Sequence, residues 1–145
     1  MTHASDIVNS FFESYEKASN TLDLELLGSQ YSDAFMFASP QGAQLVKKDD
    51  FLKVLPKRQG FFKAIGLISS KIAALEETQL DESYIMVKVQ WNMQFEKNTG
   101  QSITDKTSAT YVLFQQENML KIVFQLDHQD LTKRAQELGL LPTKD

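Results

Sequence analysis

Cysteine is absent from the 145-residue chain, which excludes disulfides, thiolate metal sites and a thiol nucleophile. Two histidines are too few for a dedicated histidine-based metal site, and no cofactor is expected. Proline and glycine are scarce, at three and six residues. With no low-complexity tract and no internal repeat, nothing reads as a linker, so one domain over residues 1–145 is expected. No run approaches the roughly 18 apolar residues that span a bilayer. Met1 to Asn9 carries no Lys or Arg and no long apolar stretch, unlike a signal peptide. The expectation is a cytoplasmic protein without a membrane partner. Lys and Arg (15 against 19 Asp and Glu, net charge −4) are scattered. The densest groups, Lys47-Lys48 and Lys57-Arg58, read as solvated surface rather than a basic stripe, so nucleic acid is not an expected partner. A Gly-rich phosphate loop, a Ser-His-Asp signature and paired-His zinc spacing are all missing.

What is present is apolar and aromatic. Hydrophobic residues make up 42% of the chain, ten of them Phe, which is enough for an unstapled globular core. Ile7, Val8, Phe11, Phe12, Tyr15 and Ala18 recur at helical spacing, predicting a helix over Asp6 to Ala18 with Ser5 as N-cap. A short helix is expected over Leu22 to Leu27, capped by Thr21 and ended near Gly28. Ala34 to Ser39 alternates as a strand with Phe35, Phe37 and Ser39 on one side. Ser39-Pro40-Gln41-Gly42 then signals a turn into Ala43 to Val46. Asp49 opens a helix carrying Phe51, Leu52 and Leu55. Pro56 lacks an N–H and is expected to break or kink it, with a restart that brings Phe61, Phe62 and Ile65 inward before Gly66.

The second half reads as strands: Leu67 to Thr78, Tyr84 to Glu96, Lys106 to Gln115 and Met119 to His128. In the clearest of these, Ile85, Val87, Val89, Trp91, Met93 and Phe95 alternate with mostly polar neighbours. In the last, strict alternation puts Leu120, Ile122, Phe124, Leu126 and His128 on one face and turns Asp127 outward. Asp130 caps a closing helix with Leu131, Ala135 and Leu138, stopped by Gly139 and Pro142. Helices first and a long antiparallel sheet second is an α+β order. A twisted sheet with one apolar face curls around the helices, and helices too few to fill the concavity leave a pocket.

The first helix with Tyr15, the segment Asp23 to Tyr31, the strand-turn Phe35-Met36-Phe37-Ala38-Ser39-Pro40-Gln41-Gly42, the strand with Trp91 and the closing Lys121-Ile122-Val123-Phe124 together resemble the nuclear transport factor 2-like (SnoaL-like, ketosteroid isomerase-like) superfamily. The likeness spans nearly the whole chain and is closest to uncharacterised bacterial members. It implies a cone-shaped, curved antiparallel or mixed sheet wrapped around N-terminal helices, with a cystatin-like fold. It also implies either a binding domain or a cofactor-independent isomerase, cyclase, dehydratase or hydrolase, and pairing through the sheet into a homodimer, with Tyr84, Met86, Val112 and Val123 on the shared face. Against the ketosteroid isomerase pattern, Tyr15 takes the position of the oxyanion-binding tyrosine, Thr110 falls near the second donor, and Ser39 stands where the carboxylate base belongs. A serine hydroxyl does not take a carbon-bound proton without an activating base, which argues against that isomerisation.

The candidate catalytic set is therefore His128, Tyr15 and Ser39. His128 is weighed as an acid or base at a pocket mouth against a strand-end histidine bonded to backbone. Tyr15 is weighed as a pocket phenol against a core tyrosine with a polar partner. A ligand-binding set of Phe12, Phe35, Phe37, Leu55, Phe62, Trp91, Met93, Tyr111 and Phe124 would suit a small hydrophobic molecule; the alternative is that these side chains close the interior completely.

Overall fold

The computed structural model describes residues 5–140. The chain runs α1 (Asp6–Thr21), α2 (Leu24–Gln30), β1 (Tyr31–Ser39), β2 (Gly42–Lys47), α3 (Lys48–Ala64), β3 (Leu67–Gln79), β4 (Tyr84–Glu96), β5 (Ser102–Gln116), β6 (Met119–Asp127) and α4 (Leu131–Glu137). Six strands form one mixed sheet in the order β2-β1-β6-β5-β4-β3. Every neighbouring pair is antiparallel except β1 and β6, which run parallel. This is the expected α+β arrangement.

The helices form where the apolar spacing puts them, with some boundaries moved. α1 buries Val8, Phe12, Tyr15 and Ala18, one residue per turn along a single stripe. Ser5 precedes it without a capping bond, because its hydroxyl donates to the Glu77 carboxylate on β3 (2.8 Å). Leu22 ends α1 in a left-handed conformation instead of starting α2. Asp23, not Thr21, caps α2 by accepting from the Leu26 N–H at 3.1 Å. Gly28 does not stop α2; it lies buried within it, where an added Cβ would stand 3.2 Å from Leu52 Cδ1.

Pro56 does not interrupt α3, which continues as one helix from Lys48 to Ala64. Pro56 is exposed, while Leu55 and Phe62 on either side pack inward. That packing outweighs one missing helical bond. The turn into β3 depends on Gly66, whose φ is +108° and whose added Cβ would lie 2.3 Å from the Glu96 carbonyl oxygen. Only glycine fits both conditions.

β4 shows the alternation read from sequence, with Ile85, Val87, Val89, Trp91, Met93 and Phe95 all buried. β3 departs from regular pairing twice against β4, between Leu67 and Ser69 and between Ile72 and Ala74, and such bulges bend and twist a sheet. The concave face closes over α1, and Val8, Phe12, Ala18, Val87, Val89, Leu113 and Ile122 are fully shielded there. Burying each of the larger side chains among them contributes roughly 1.5–3 kcal/mol.

A third irregularity lies between β5 and β6. Leu113 pairs with Ile122, but Val112 pairs with Phe124, so Val123 is an extra residue on β6. Side-chain direction therefore shifts by one after Ile122. Leu120 and Ile122 are buried as expected, but the next buried residue is Gln125 rather than Phe124. Strict alternation fails here, with direct consequences for the interior.

Candidate functional site

The helices leave part of the concavity empty. A cavity of about 220 Å³ lies between the sheet and α1, α2 and α3. Its walls are largely apolar: Leu27, Phe37, Phe51, Leu55, Phe62 and Trp91, with Met93 and Ala109 beside them. Phe51 fixes one wall by packing edge-on to Phe35 and tilted against Tyr31. A shallower groove of about 400 Å³ adjoins the opening and shares Phe37, Arg58, Phe62, Asp127, Gln129 and Leu131 with it.

The polar side of the cavity is a connected chain. Tyr15 from α1, Tyr31 from β1 and Tyr111 from β5 meet there. The Tyr15 and Tyr31 hydroxyls are 2.7 Å apart, and Tyr111 donates to Tyr15 over 3.4 Å. Tyr31 donates to Gln125 Oε1 at 2.6 Å, and Gln125 Nε2 donates to Asp127 Oδ1 at 3.0 Å. A buried hydroxyl without a partner costs about 1–3 kcal/mol, so each phenol this deep requires a neighbour. Burial raises all three phenols above the ordinary tyrosine value, Tyr31 and Tyr111 well above it. At Tyr15 the hydrogen bonds with Tyr111 and Tyr31 partly oppose that rise. These phenols stay protonated.

Asp127 stands at the outer end of this chain. Burial raises its carboxyl, opposed by the Gln125 hydrogen bond and by the charges of Arg58 and His128. Arg58 Nη2 is 3.9 Å from Asp127 Oδ2, beyond hydrogen-bond length. Its guanidinium also lies 5.6 Å from the centre of the Phe62 ring. A carboxyl pushed toward its neutral form, beside protonated phenols in a mostly apolar cavity, has the ingredients for proton exchange with a bound molecule.

Of the residues read from sequence, Tyr15, Phe37, Leu55, Phe62, Trp91, Met93 and Tyr111 line this cavity. Phe12 and Phe35 do not; they are 0% and 1% exposed within the core behind it. The Val123 bulge turns Phe124 and His128 to the outer face. His128 Nε2 lies 2.7 Å from the Thr110 hydroxyl, and its backbone N–H bonds to Ser108. His128 lines neither the cavity nor the adjoining groove. Ser39 borders only the outer groove, where its hydroxyl accepts from the Gln41 N–H at 3.2 Å. Asp130 caps α4 through the Lys133 N–H (3.1 Å) and accepts from Gln41 Nε2, so it makes no pair with His128.

Sequence reasoning misses Tyr31, Arg58, Gln125 and Asp127. Strict alternation turns Asp127 outward, and the bulge breaks that alternation. Tyr31 precedes the expected start of β1. Gln125 and Arg58 carry no spacing signal of their own. A second buried carboxylate, Asp105, is held by Arg134 of α4 through Nη2 (2.5 Å) and Nε (3.3 Å), away from the cavity.

Comparison with known proteins bears on the fold. A protein-family model described as NTF2-like protein (DUF6841) matches residues 4–130. No curated protein matches the chain. Among solved structures, the chain is similar to an NTF2-like protein of unknown function from Shewanella oneidensis, at 18% identity and TM-score 0.68, covering 86% of this chain and 98% of that one. Aln2 from a Streptomyces species superposes with TM-score 0.72 at 11% identity, over 93% and 99% of the two chains. An NTF2-like protein with a cystatin-like fold from Novosphingobium aromaticivorans does so with TM-score 0.68 at 10% identity, over 92% and 86%. At these identities the structures speak for architecture alone. The family-model match over most of the length, the six-stranded curved sheet and the helices packed in its concavity agree: this chain belongs to the NTF2-like DUF6841 family.

Proposed function

We propose that this protein is a small-molecule-binding domain whose ligand, a compact hydrophobic molecule, occupies the cavity between the sheet and α1–α3. The observation that carries the reading is the combination of a mostly apolar enclosure of about 220 Å³ with one connected polar wall, Tyr15, Tyr31, Tyr111, Gln125 and Asp127. Ligand sites have this composition, whereas an unused interior is filled. One domain over residues 1–145 and a cytoplasmic setting go with this reading. No helix among the described residues is long and apolar enough to cross a membrane.

The test uses the chain's one tryptophan, which lines the cavity. Bicyclic hydrocarbons, alcohols and ketones of matching size are expected to shift Trp91 emission and raise the melting temperature. The variant Ala109→Leu, which adds bulk inside the cavity, should lose both responses while keeping the native circular dichroism spectrum. No response from any probe would remove the reading.

Two further readings have support. Turnover without a cofactor would rest on Asp127 as acid or base with Tyr15 as donor, since His128 and Ser39 lie outside the cavity; Asp127→Asn would then abolish turnover while retaining binding. A homodimer through the outer sheet face is favoured by a band of partly covered apolar residues, Tyr84, Met86, Val112, Phe114 and Val123, with Tyr84 and Phe114 in ring contact. Light scattering at micromolar concentration should give twice the chain mass, and Met86→Lys should halve it.

A further inference from the structure

The mouth of the cavity carries donors that the protein itself does not use. Arg58 lines both the cavity and the adjoining groove. Its guanidinium can only donate, yet it makes no hydrogen bond to any described residue, and Asp127 Oδ2 lies 3.9 Å from its Nη2. The Phe62 ring, 5.6 Å away, holds the group against the border of the apolar wall. Gln129 also lines both spaces. Its Oε1 accepts from the Ser108 N–H at 2.9 Å. A backbone N–H only donates, so that contact fixes which end of the amide is oxygen. Gln129 Nε2 is left without a partner among the described residues. Lys63 is exposed, lines the cavity and pairs with no carboxylate among the described residues.

The charge at this opening is positive. Three cations, Lys57, Arg58 and Lys63, face two carboxyls, Asp127 and Asp130, so the sign holds whether Asp127 is ionised or neutral. Asp130 is spent on the Lys133 N–H (3.1 Å) and on Gln41 Nε2 (2.6 Å). The chain as a whole carries a net charge of −4, so this rim departs from the rest of the molecule. The helix explains the layering. Leu55 and Phe62 send the apolar stripe of α3 inward. Arg58 stands one turn before Phe62, and Lys63 directly follows it. Apolar surface therefore lies deep and positive charge lies at the edge.

We propose that the ligand is an amphiphilic anion, a carboxylate on a compact apolar frame, with the frame in the hollow and the carboxylate at the rim against Arg58 and Gln129 Nε2. The inference rests on the binding reading above and deepens it. A guanidinium meets a carboxylate through two parallel N–H bonds, which fixes orientation as well as charge. Lys63 adds attraction without set geometry. One exposed ion pair is worth little, so the preference draws on the guanidinium, the amide and the ammonium together.

Three probes with one bicyclic frame separate the cases: naphthoate, an anion; naphthamide, its neutral counterpart; and naphthylmethylammonium, a cation. Calorimetric titration at neutral pH, with Trp91 emission as a second readout, is expected to rank naphthoate tightest, by about fivefold or more over naphthamide. The cation should bind weakest. Added salt should narrow the lead of naphthoate. Arg58→Gln should bring naphthoate down to the level of naphthamide. Because Arg58 also faces Asp127, Lys63→Gln gives an independent check, with a smaller loss confined to naphthoate. Both side chains are exposed, so neither change threatens the fold. If naphthamide or the cation binds the native protein as tightly as naphthoate, the anion reading is wrong and the binding reading survives. The same holds if naphthoate keeps its full lead when both cations are replaced. If none of the three binds, both readings fall together.

Discussion

Burial raises the Asp127 carboxyl in the folded chain, and the sign of its effect on stability follows. Below the ordinary carboxylate value the group is neutral in both folded and unfolded chains and carries no penalty. As pH rises, the unfolded chain ionises first, so the native state loses relative stability until the folded carboxyl has ionised too. Asp127→Asn should therefore raise the melting temperature at neutral pH, with the gain shrinking as pH falls into the acid range, read by thermal unfolding across a pH series. A melting temperature lowered at neutral pH would mean that the Arg58 pair outweighs burial. At this scale the sequence is legible where burial follows simple spacing. Tyr15, Trp91, Met93 and Tyr111 can be found because each sits on an undisturbed helical or alternating stripe. Asp127 and Gln125 cannot, since one extra residue, Val123, reverses everything after it, and a Val in an apolar run does not announce itself as a bulge.

Elements are legible wherever their apolar pattern is long. The bounds of β4 agree with its alternation at both ends, and α1 differs only by about one further turn at its C-terminus. α3 is less legible because Pro56 is a strong local signal against a helix, while its continuity is a tertiary matter: Phe51, Leu55 and Phe62 all anchor in the interior. A proline inside a helix costs about 3 kcal/mol relative to alanine, and its stiffening of the unfolded chain offsets about 0.4–1 kcal/mol of that. Pro56→Ala should therefore stabilise the protein by about 1–2 kcal/mol in urea unfolding, allowing for partial relief of the clash in the native helix. Destabilisation would show that the helix must bend at Pro56 to seat Leu55 and Phe62 together.

At the scale of the molecule, the architecture is legible because element order alone restricts it: helices preceding a long antiparallel array have few places to pack. The existence of a hollow is legible as an imbalance between three helices and a large concave sheet. Its chemistry is not, because the polar wall draws one or two residues from each of four elements far apart in sequence. The same dispersal governs assembly. Tyr31 stands beside Ile122, and Phe37 beside Gln125, in the parallel pairing of β1 with β6. The two strands of that ladder come from opposite ends of the chain, and closing so long a loop is slow relative to local hairpins. Until β6 emerges during synthesis, Tyr15 and Tyr31 have neither Gln125 nor a finished wall, and the aromatic half of the interior lies open to water. The nascent first half is thus the stretch with most need of protection from self-association, and the polar wall of the cavity is among the last parts the folding chain completes.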